Sequence, residues 1–459
     1  MPLCGMVCLA VVCSLTAVSL AQEEPGDELI SLVVGLLGEK DRDMRALGLE
    51  QVRTGAPGQA ATEQFAAQLP KLPADVQIEL IRALADRGDV AARPAVIDLL
   101  TASQDASVRV AAIEALVFLG EPTDSQRLLQ LLTKGSTAEQ AAAKSALSRM
   151  PGELVTTAIA AELKETTAAQ RVLLIDILTD RRASDAVPAI LPLAVDADAS
   201  VRSAAMAALG ELAGPASIPG MVQGILAAER GRERESAEKA VMLVCHRIPD
   251  VEHQADPLLA AMAMLDRADG TVLLPALGRV GGPAALKAVN AALGDRDPMR
   301  HEAGLRALCN WPNASVAPEL TQLAKAGQSS GERTTAVRAL IRVAPLPDGR
   351  SDADKLELLQ RALTLCTRDT ERHLALQRAA AIRIPETLRF LVPYLDQPAY
   401  AQQACQAIVE LAHHRDLREP NKAEFDQALD EVIAVSDDAT VIERAKRYKR
   451  GETWVRPAT

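Results

Sequence analysis

The hydrophobic and polar positions of this chain form a pattern that recurs about every 31 residues. The pentapeptide DASVR occurs at 105–109 and again, unchanged, at 198–202, and this offset of 93 residues is three times 31. Positions equivalent to Arg109 recur on both sides of these copies, and such internal repeats are typical of repeat architectures. We call these twelve positions the register residues: Arg45, Gln77, Arg109, Gln140, Arg171, Arg202, Arg234, Gly270, His301, Arg333, Arg372 and Ala401.

Each register residue opens a stretch with the spacing of an amphipathic helix. The residue three places later is apolar or glycine in all twelve copies, and the residue seven places later is apolar in all twelve. Offsets of three and seven lie on one face of an α-helix. Each repeat is therefore predicted to contain a helix such as 107–120, a tight turn and a second helix such as 125–132. In four repeats a proline stands thirteen places after the register residue, where a helix must already have ended: Pro122, Pro215, Pro283 and Pro385.

The repeated pair of helices predicts the fold class. One pair cannot bury its own apolar side, so neighbouring pairs must stack, which predicts an all-α fold of the α-solenoid class with about twelve helical hairpins. Alanine and glycine at the contacts let the helices pack closely. Aromatic residues make up only 2% of the chain. This scarcity argues against a β-sandwich and against an aromatic platform for sugars or nucleic acids.

Two longer steps interrupt the period. The segments RIPDVEHQADP (247–257) and VAPLPDGRSDADK (343–355) are rich in proline and aspartate, as surface loops are. Near the C-terminus, Lys449 stands where a core leucine belongs, as expected for the polar outer side of a terminal repeat. The predicted domains are a signal peptide at 1–21, an N-terminal array at 22–342, a loop insert at 343–355, C-terminal repeats at 356–435, and a capping helix with a basic tail at 436–459.

The repeated motif resembles a known family. The pattern D-x-x-V-R-x-A-A-x-x-A-L, with proline opening the companion helix in RPAVIDLL (93–100) and VPAILPL (187–193), resembles the HEAT repeat. The short period is most similar to the HEAT repeats of bacterial scaffolds and of the bilin lyases of the phycobilisome. The resemblance covers residues 29–435 and implies an armadillo/HEAT-like superhelix.

The resemblance also implies roles for particular residues. In HEAT repeats the Asp and Arg of successive repeats form a structural ladder across the helix stack, which Gln77, Gln140, Gly270 and Ala401 interrupt here. The implied ladder pairs are Asp41 with Arg45, Asp105 with Arg109, Asp198 with Arg202, and Asp297 with His301. The helices that carry the Val-Arg pattern line the concave face in such arrays. The candidate partner-binding residues on that face are Val110, Glu114, Ser203 and Met206.

The first 21 residues have the features of an export signal. No charged side chain precedes Glu23, the run LCGMVCLAVVCSLTAV is apolar, and Ser19 and Ala21 supply small residues for cleavage before Gln22. Because no Lys or Arg stands at the start, an uncleaved N-terminal anchor remains the alternative. No later segment is long and apolar enough to span a bilayer. The chain is therefore predicted to be exported, and to be periplasmic or secreted.

Candidate chemistry is scarce in this sequence. It contains no phosphate-binding Gly loop and no HExxH or CxxC motif, so no catalytic, cofactor-binding or metal-binding residue is predicted. The formal charge of −11 argues against contacts with nucleic-acid phosphates. The four cysteines after the leader lie in apolar helical stretches and are predicted to be small core residues, with any disulfide left open: Cys245, Cys309, Cys366 and Cys405.

The array without a catalytic cluster favours one function over two others. We expect a non-enzymatic, extracytoplasmic scaffold that binds a protein or peptide partner on the concave face of a HEAT solenoid. The alternative that the resemblance leaves open is a chromophore-handling enzyme or subunit similar to the bilin lyases. The export signal and the lack of an exposed cysteine with positive neighbours argue against that alternative. A nucleic-acid binder is the third interpretation, which the acidic charge disfavours.

Overall fold

The computed structural model describes residues 27–454, and these consist of α-helices, short 3-10 helices and connecting turns, without a β-strand. The all-α prediction is therefore confirmed. The predicted signal peptide at 1–21 and the last residues of the basic tail, 455–459, lie outside the described residues. The chain forms two compact units, of which the first ends at Glu162 and the second begins at Leu163. The predicted loop insert lies inside the second unit and does not separate the two.

The first unit is a stack of helical hairpins. Its described α-helices are α1 (Asp27–Leu37), α2 (Arg42–Thr54), α3 (Gln59–Ala66), α4 (Ala74–Arg87), α5 (Arg93–Ala102), α6 (Ala106–Leu119), α7 (Ser125–Lys134), α8 (Thr137–Arg149) and α9 (Glu153–Glu162). Helices α1 and α2, α3 and α4, α5 and α6, and α7 and α8 form hairpins. The second helices of these hairpins pack in order, α2 on α4, α4 on α6 and α6 on α8.

The second unit continues the same alternation of helices. Its first part contains α10 (Ala168–Asp180), α11 (Val187–Ile190), α12 (Ala199–Leu212), α13 (Ile218–Ala227), α14 (Arg232–Cys245), α15 (Asp256–Ala263), α16 (Arg267–Val272), α17 (Leu274–Val280), α18 (Pro283–Leu293) and α19 (Pro298–Cys309). The remainder contains α20 (Ala317–Ala326), α21 (Ser330–Val343), α22 (Asp352–Thr364), α23 (Asp369–Ala379), α24 (Pro385–Leu391), α25 (Ala401–Ala412), α26 (Arg415–Arg418), α27 (Lys422–Val435) and α28 (Ala439–Lys449).

The second helices also pack in order in this unit. Successive contacts run from α10 through α12, α14, α17, α19, α21, α23 and α25 to α28. The first helices pack each against the second helix of the same hairpin: α13 on α14, α18 on α19, α20 on α21, α22 on α23, α24 on α25 and α27 on α28. Every register residue lies in a second helix, with Gly270 in α16, the short helix before α17. The prediction of an α-solenoid of about twelve helical hairpins is therefore confirmed.

The helix boundaries follow from capping residues and prolines. Helix α6 begins after Asp105, whose carboxylate accepts hydrogen bonds from the backbone amides of Ser107 (2.8 Å) and Val108 (3.3 Å). It ends before Pro122, which opens a short 3-10 helix instead. The predicted helix 107–120 is confirmed to within one residue at each end.

The predicted loop insert at 343–355 is shorter in the structure. Helix α21 ends at Val343 and helix α22 already begins at Asp352. The hydroxyl of Ser351 accepts a hydrogen bond from the backbone amide of Asp354 (3.1 Å), and the Asp354 carboxylate accepts one from the Ser351 amide (3.3 Å). This reciprocal cap starts a helix, so the last four residues of the predicted loop are helical.

One second helix is divided into two pieces. It lies in the repeat that follows the segment 247–257. Helix α16 ends at Val272, α17 begins at Leu274, and Pro275 stands in the first turn of α17. Proline has no amide hydrogen and its ring clashes with the preceding turn, so a continuous helix is disfavoured across it. The register residue here is Gly270, which brings no side chain.

The helices of the described chain are short. Among residues 27–454, no helix is both long enough and apolar enough to cross a membrane.

Candidate functional site

The aspartates of the implied ladder cap their own helices. The carboxylate of Asp198 accepts hydrogen bonds from the backbone amides of Ser200 (2.8 Å) and Val201 (3.4 Å) at the start of α12. A carboxylate at an N-cap reaches the amides two and three residues later. These aspartates thus bind backbone amides rather than the register residues, which corrects the implied pairs. The other three N-cap aspartates are Asp41, Asp105 and Asp297.

The register residues join the two helices of a hairpin. The guanidinium of Arg109 donates to the carbonyl oxygen of Ser103 (2.9 Å), and that of Arg202 donates to the carbonyl oxygen of Asp196 (2.9 Å). Carbonyls at a helix end lack helical donors, so a side chain from the next helix can satisfy them. The same kind of contact is made by Arg45, Gln77, Gln140, Arg171, Arg234, His301, Arg333 and Arg372. The two glutamines therefore substitute for arginine instead of interrupting the pattern.

Ion pairs between successive repeats do exist, with a glutamate as the carboxylate in two copies and with Asp196 for Arg171 at 2.9 Å. Arg109 on α6 donates to Glu139 on α8 at 2.6 Å. Arg202 on α12 donates to Glu233 on α14 at 2.9 Å. Each glutamate immediately precedes the register residue of the next repeat. One guanidinium therefore binds both its own hairpin and the next one.

These glutamates also cap the helix on which they lie. The Glu139 carboxylate accepts a hydrogen bond from the backbone amide of Ser136 at 2.7 Å. The hydrogen bonds from Arg109 and from Ser136 lower the pKa of Glu139 to about 2. His301 takes the arginine's place in a later repeat, where its ring lies 3.4 Å from Glu332. The ladder residues are therefore structural in both units.

The candidate partner-binding residues do not all lie on an open surface. Glu114 and Ser203 are exposed and Val110 is half-buried, on the side of α6 and α12 that the first helices leave uncovered. Met206 is only 3% exposed, so its assignment to this face was wrong. It lies three residues after Ser203 and points toward α13, where its sulfur fills the space beside Gly224.

A cleft of about 520 Å³ opens in the second unit beside the divided helix. This volume lies within the usual range of ligand pockets. Its walls come from α14, α16, α17 and α19. The lining side chains include the arginines Arg230, Arg234 and Arg306, the carboxylates Glu238, Asp269, Asp297 and Glu302, and the apolar residues Val272, Pro275 and Met299.

Glu238 is the buried carboxylate of this cleft. Its side chain is 0% exposed, and it occupies the helix position that holds the apolar Ile113 in α6 and Met206 in α12. Arg279 donates to Glu238 at 3.1 Å, and Arg306 lies 3.4 and 3.5 Å from the two carboxylate oxygens. Burial raises the pKa of Glu238 even though both arginines favour its ionised form. A charged residue thus lies fully buried at a position that is apolar in α6 and α12, which is unusual without a compensating role.

Arginines crowd one end of the same cleft. Burial lowers the pKa of Arg234. The positive charges of Arg230 and Arg306 repel the Arg234 guanidinium and lower this pKa further. The Nε of Arg234 is buried without a hydrogen-bond partner, while an outer nitrogen donates to the carbonyl oxygen of Ala228 at 2.6 Å. This end of the cleft therefore has guanidinium donors that the protein itself does not fully use.

Between residues 27 and 454, no three side chains of His, Cys, Asp or Glu are grouped so that they could hold a metal ion. The four described cysteines are unpaired: Cys245, Cys309, Cys366 and Cys405.

Comparison with known proteins agrees with this architecture. The sequence profile of HEAT repeats matches residues 62–148. No curated protein matches the sequence. The structure of the karyopherin Kap121p superposes with a TM-score of 0.50 at 13% identity, covering 93% of this chain and 54% of that one. Kap121p bound to the SUMO protease Ulp1p also gives 0.50 at 13% identity, covering 94% and 54%.

These likenesses concern the fold. The chain spans about half of the length of the karyopherin chains that it matches. The profile match, the hairpin stack and the register residues agree on one assignment. Residues 62–148 match HEAT repeats, and the described chain has the α-solenoid fold of HEAT-repeat proteins.

Proposed function

We propose that this chain is a non-enzymatic scaffold that binds a protein or peptide partner along the exposed side of its second helices. The observation that carries the proposal is the position five residues after each register residue, which we call the face position. Most face positions are exposed, and their chemistry changes from repeat to repeat. The exposed ones are Glu50, Arg82, Glu114 and Ser145 in the first unit, and Asp176, Ala207, Lys239, Arg338, Gln377 and Gln406 in the second.

The face positions vary in chemistry, whereas a neighbouring core position does not, and this contrast favours a binding function for the face positions. Two residues after each face position the side chain is apolar in every repeat. Stacking alone requires the apolar position and the register residue, and it places no demand on the face position. Repeat proteins use such a surface, built by one residue or a few per repeat, to bind extended partners. The fold class is compatible with this use, since one structure of the same fold is a karyopherin bound to a SUMO protease.

The four thiols that the structure describes favour a non-enzymatic function over chromophore attachment. Thioether chemistry requires a thiolate, which is favoured by exposure and by positive neighbours. Burial raises the pKa of Cys245 and Cys309 to about 12, and that of Cys366 and Cys405 to about 11. These thiols remain protonated near neutral pH and are poor nucleophiles.

We propose further that the scaffold acts outside the cytoplasm, on the basis of the export signal in the sequence. N-terminal sequencing of the protein purified from the cell envelope is expected to begin at Gln22. Protein that begins at Met1 and stays with the membrane would favour the retained anchor instead.

Crosslinking mass spectrometry on the native protein tests the binding surface. Lys239 is an exposed face residue on α14, whereas Lys287 on α18 and Lys325 on α20 are exposed on first helices. A partner bound to the second helices is expected to give crosslinks to Lys239 and few to the other two lysines. A reproducible partner crosslinked only through Lys287 and Lys325 would refute the proposed surface, and the absence of any partner would refute the scaffold function.

A further inference from the structure

We infer that the cleft above Glu238 binds the carboxylate of an acidic side chain in an extended segment of the partner, with Arg234 and Arg306 as its donors. This inference rests on the proposed scaffold function and names the chemistry of one contact. The segment is expected to carry a single acidic residue flanked by apolar ones.

The cleft exists because one repeat departs from the pattern. Its register residue is Gly270, and its face position is the buried Pro275. The cleft lies where the helix divides, between Glu238 on α14 and the face residue Arg306 on α19. Arg306 reaches across the cleft to α14, where it lies 3.4 Å from Glu235. The cleft is therefore part of the proposed partner-binding surface.

The balance of donors and acceptors favours an incoming carboxylate. Glu238 has a close partner in Arg279, at 3.1 Å. Arg306 has only long contacts, at 3.4 to 3.5 Å, and it divides them between Glu235 and Glu238. Its side chain is 40% exposed, so a ligand can reach it. A carboxylate could accept two parallel hydrogen bonds from such a guanidinium, while Arg279 would continue to neutralise Glu238.

The positive charges at this end of the cleft favour the same ligand. Arg230 is exposed, and its charge and that of Arg306 both act on Arg234. The Nε of Arg234 also has no acceptor. A bound anion would reduce the repulsion among the three guanidinium groups. A lysine or arginine side chain in the same place would increase it.

The other walls of the cleft limit what can flank the carboxylate. Val272, Pro275 and the 56% exposed Met299 form an apolar side, to which an aliphatic neighbour can bind. Asp269 and Glu302 line the rim and are exposed. Because like charges repel, these two residues disfavour a run of acidic residues. The cleft thus selects one carboxylate in an apolar context.

Fluorescence anisotropy with the full chain tests this inference. The probe is a fluorescein-labelled peptide, Gly-Ser-Leu-Glu-Leu-Ser-Gly, and its matched control has glutamine in place of the glutamate. The glutamate peptide is expected to bind about tenfold more tightly, as for a hydrogen-bonded charge pair. Equal affinity of the two peptides would overturn the inference, as would tighter binding of a control peptide with three consecutive glutamates.

Variants of the protein locate the contact. Arg306→Gln and Arg234→Gln are each expected to weaken binding of the glutamate peptide about tenfold. Binding of the glutamine peptide is expected to stay unchanged. Arg389→Gln is the matched control, because Arg389 lies on the first helix α24, outside the proposed surface, and also pairs with a carboxylate, Glu424, at 2.8 Å. It is expected to bind the peptide as the unaltered protein does. The same loss in all three variants would overturn the assignment to this cleft.

A variant at an exposed residue distinguishes a loss of peptide binding from a loss of folding. Met299 is exposed, so Met299→Glu is expected to leave the thermal unfolding temperature unchanged. The added negative charge at the rim is expected to weaken binding of the glutamate peptide severalfold. Unchanged binding in this variant would count against the cleft. If the partner crosslinks to Lys239 but the two peptides bind equally, the carboxylate site is wrong and the scaffold function stands.

Discussion

Replacing Gly278 with alanine is expected to lower the free energy of unfolding of the second unit by about 3 kcal/mol. Gly278 lies in α17, where the helix passes very close to α19. A Cβ atom added there would lie 2.2 Å from the carbonyl oxygen of Ala307 and 2.5 Å from its carbonyl carbon and Cα. These are backbone atoms, so the clash can be relieved only by moving one helix away from the other. Urea denaturation followed by circular dichroism measures the effect.

Gly270 provides the matched control for this substitution. It also lies within a helix of the same repeat, and the nearest atom to an added Cβ is the carbonyl oxygen of Met262, at 4.0 Å. Gly270→Ala is therefore expected to be neutral, or to stabilise the unit by up to about 1 kcal/mol through helix propensity. If both substitutions destabilise the unit equally, the close packing of α17 on α19 is incorrect.

Replacing Glu139 with glutamine is expected to lower the free energy of unfolding of the first unit by about 2 kcal/mol at pH 7. The carboxylate joins α6 to α8 through Arg109 and caps α8 through Ser136. Its pKa in the folded protein is about 2, against an ordinary value of 4.5. A lowered pKa stabilises the folded state above the unfolded-state value, and this contribution disappears as the pH falls toward 2.

The pH dependence distinguishes this ion pair from a general effect of the substitution. The difference between the unaltered protein and Glu139→Gln should be constant above pH 5 and should shrink between pH 4.5 and 2. Glu114→Gln removes an exposed carboxylate from α6 and should change the stability by less than about 0.5 kcal/mol. A difference for Glu139→Gln that stays the same from pH 7 to pH 3 would show that its carboxylate charge contributes nothing.

The helices and hairpins were predicted well from the local sequence. Helix α6 was predicted at 107–120 because apolar residues follow Arg109 at three and seven places and Pro122 stands beyond its end, and the structure differs by one residue at each end. The end of the loop at 343–355 was missed because Ser351 and Asp354 form a reciprocal cap. That cap has a sequence signature, a serine followed three residues later by an acid.

Contacts between repeats were harder to predict. The resemblance paired each register residue with the aspartate four residues before it, but a carboxylate at an N-cap is already used by backbone amides. The glutamate one residue before the next register residue was the better signal in three repeats, at 139, 233 and 332. Met206 was misplaced because a change of one residue along a helix rotates a side chain by about 100°.

The cleft was not predicted from the sequence at all. Glu238 stands at a core position, yet a single acid in an apolar pattern looks like any exposed glutamate. Its partners Arg279 and Arg306 follow 41 and 68 residues later, so only the stacking of three repeats brings them together. Gly270 and Pro275 were visible as irregularities, but the cleft beside them depends on the neighbouring helices.

Hydrogen–deuterium exchange of the native protein, alone and in complex with its crosslinked partner, tests the central claim most directly. The account predicts slower exchange in the second helices α12, α14 and α19 on binding, with α13, α18 and α20 unchanged. Slower exchange confined to the first helices α13, α18 and α20 would contradict a scaffold that binds through its second helices.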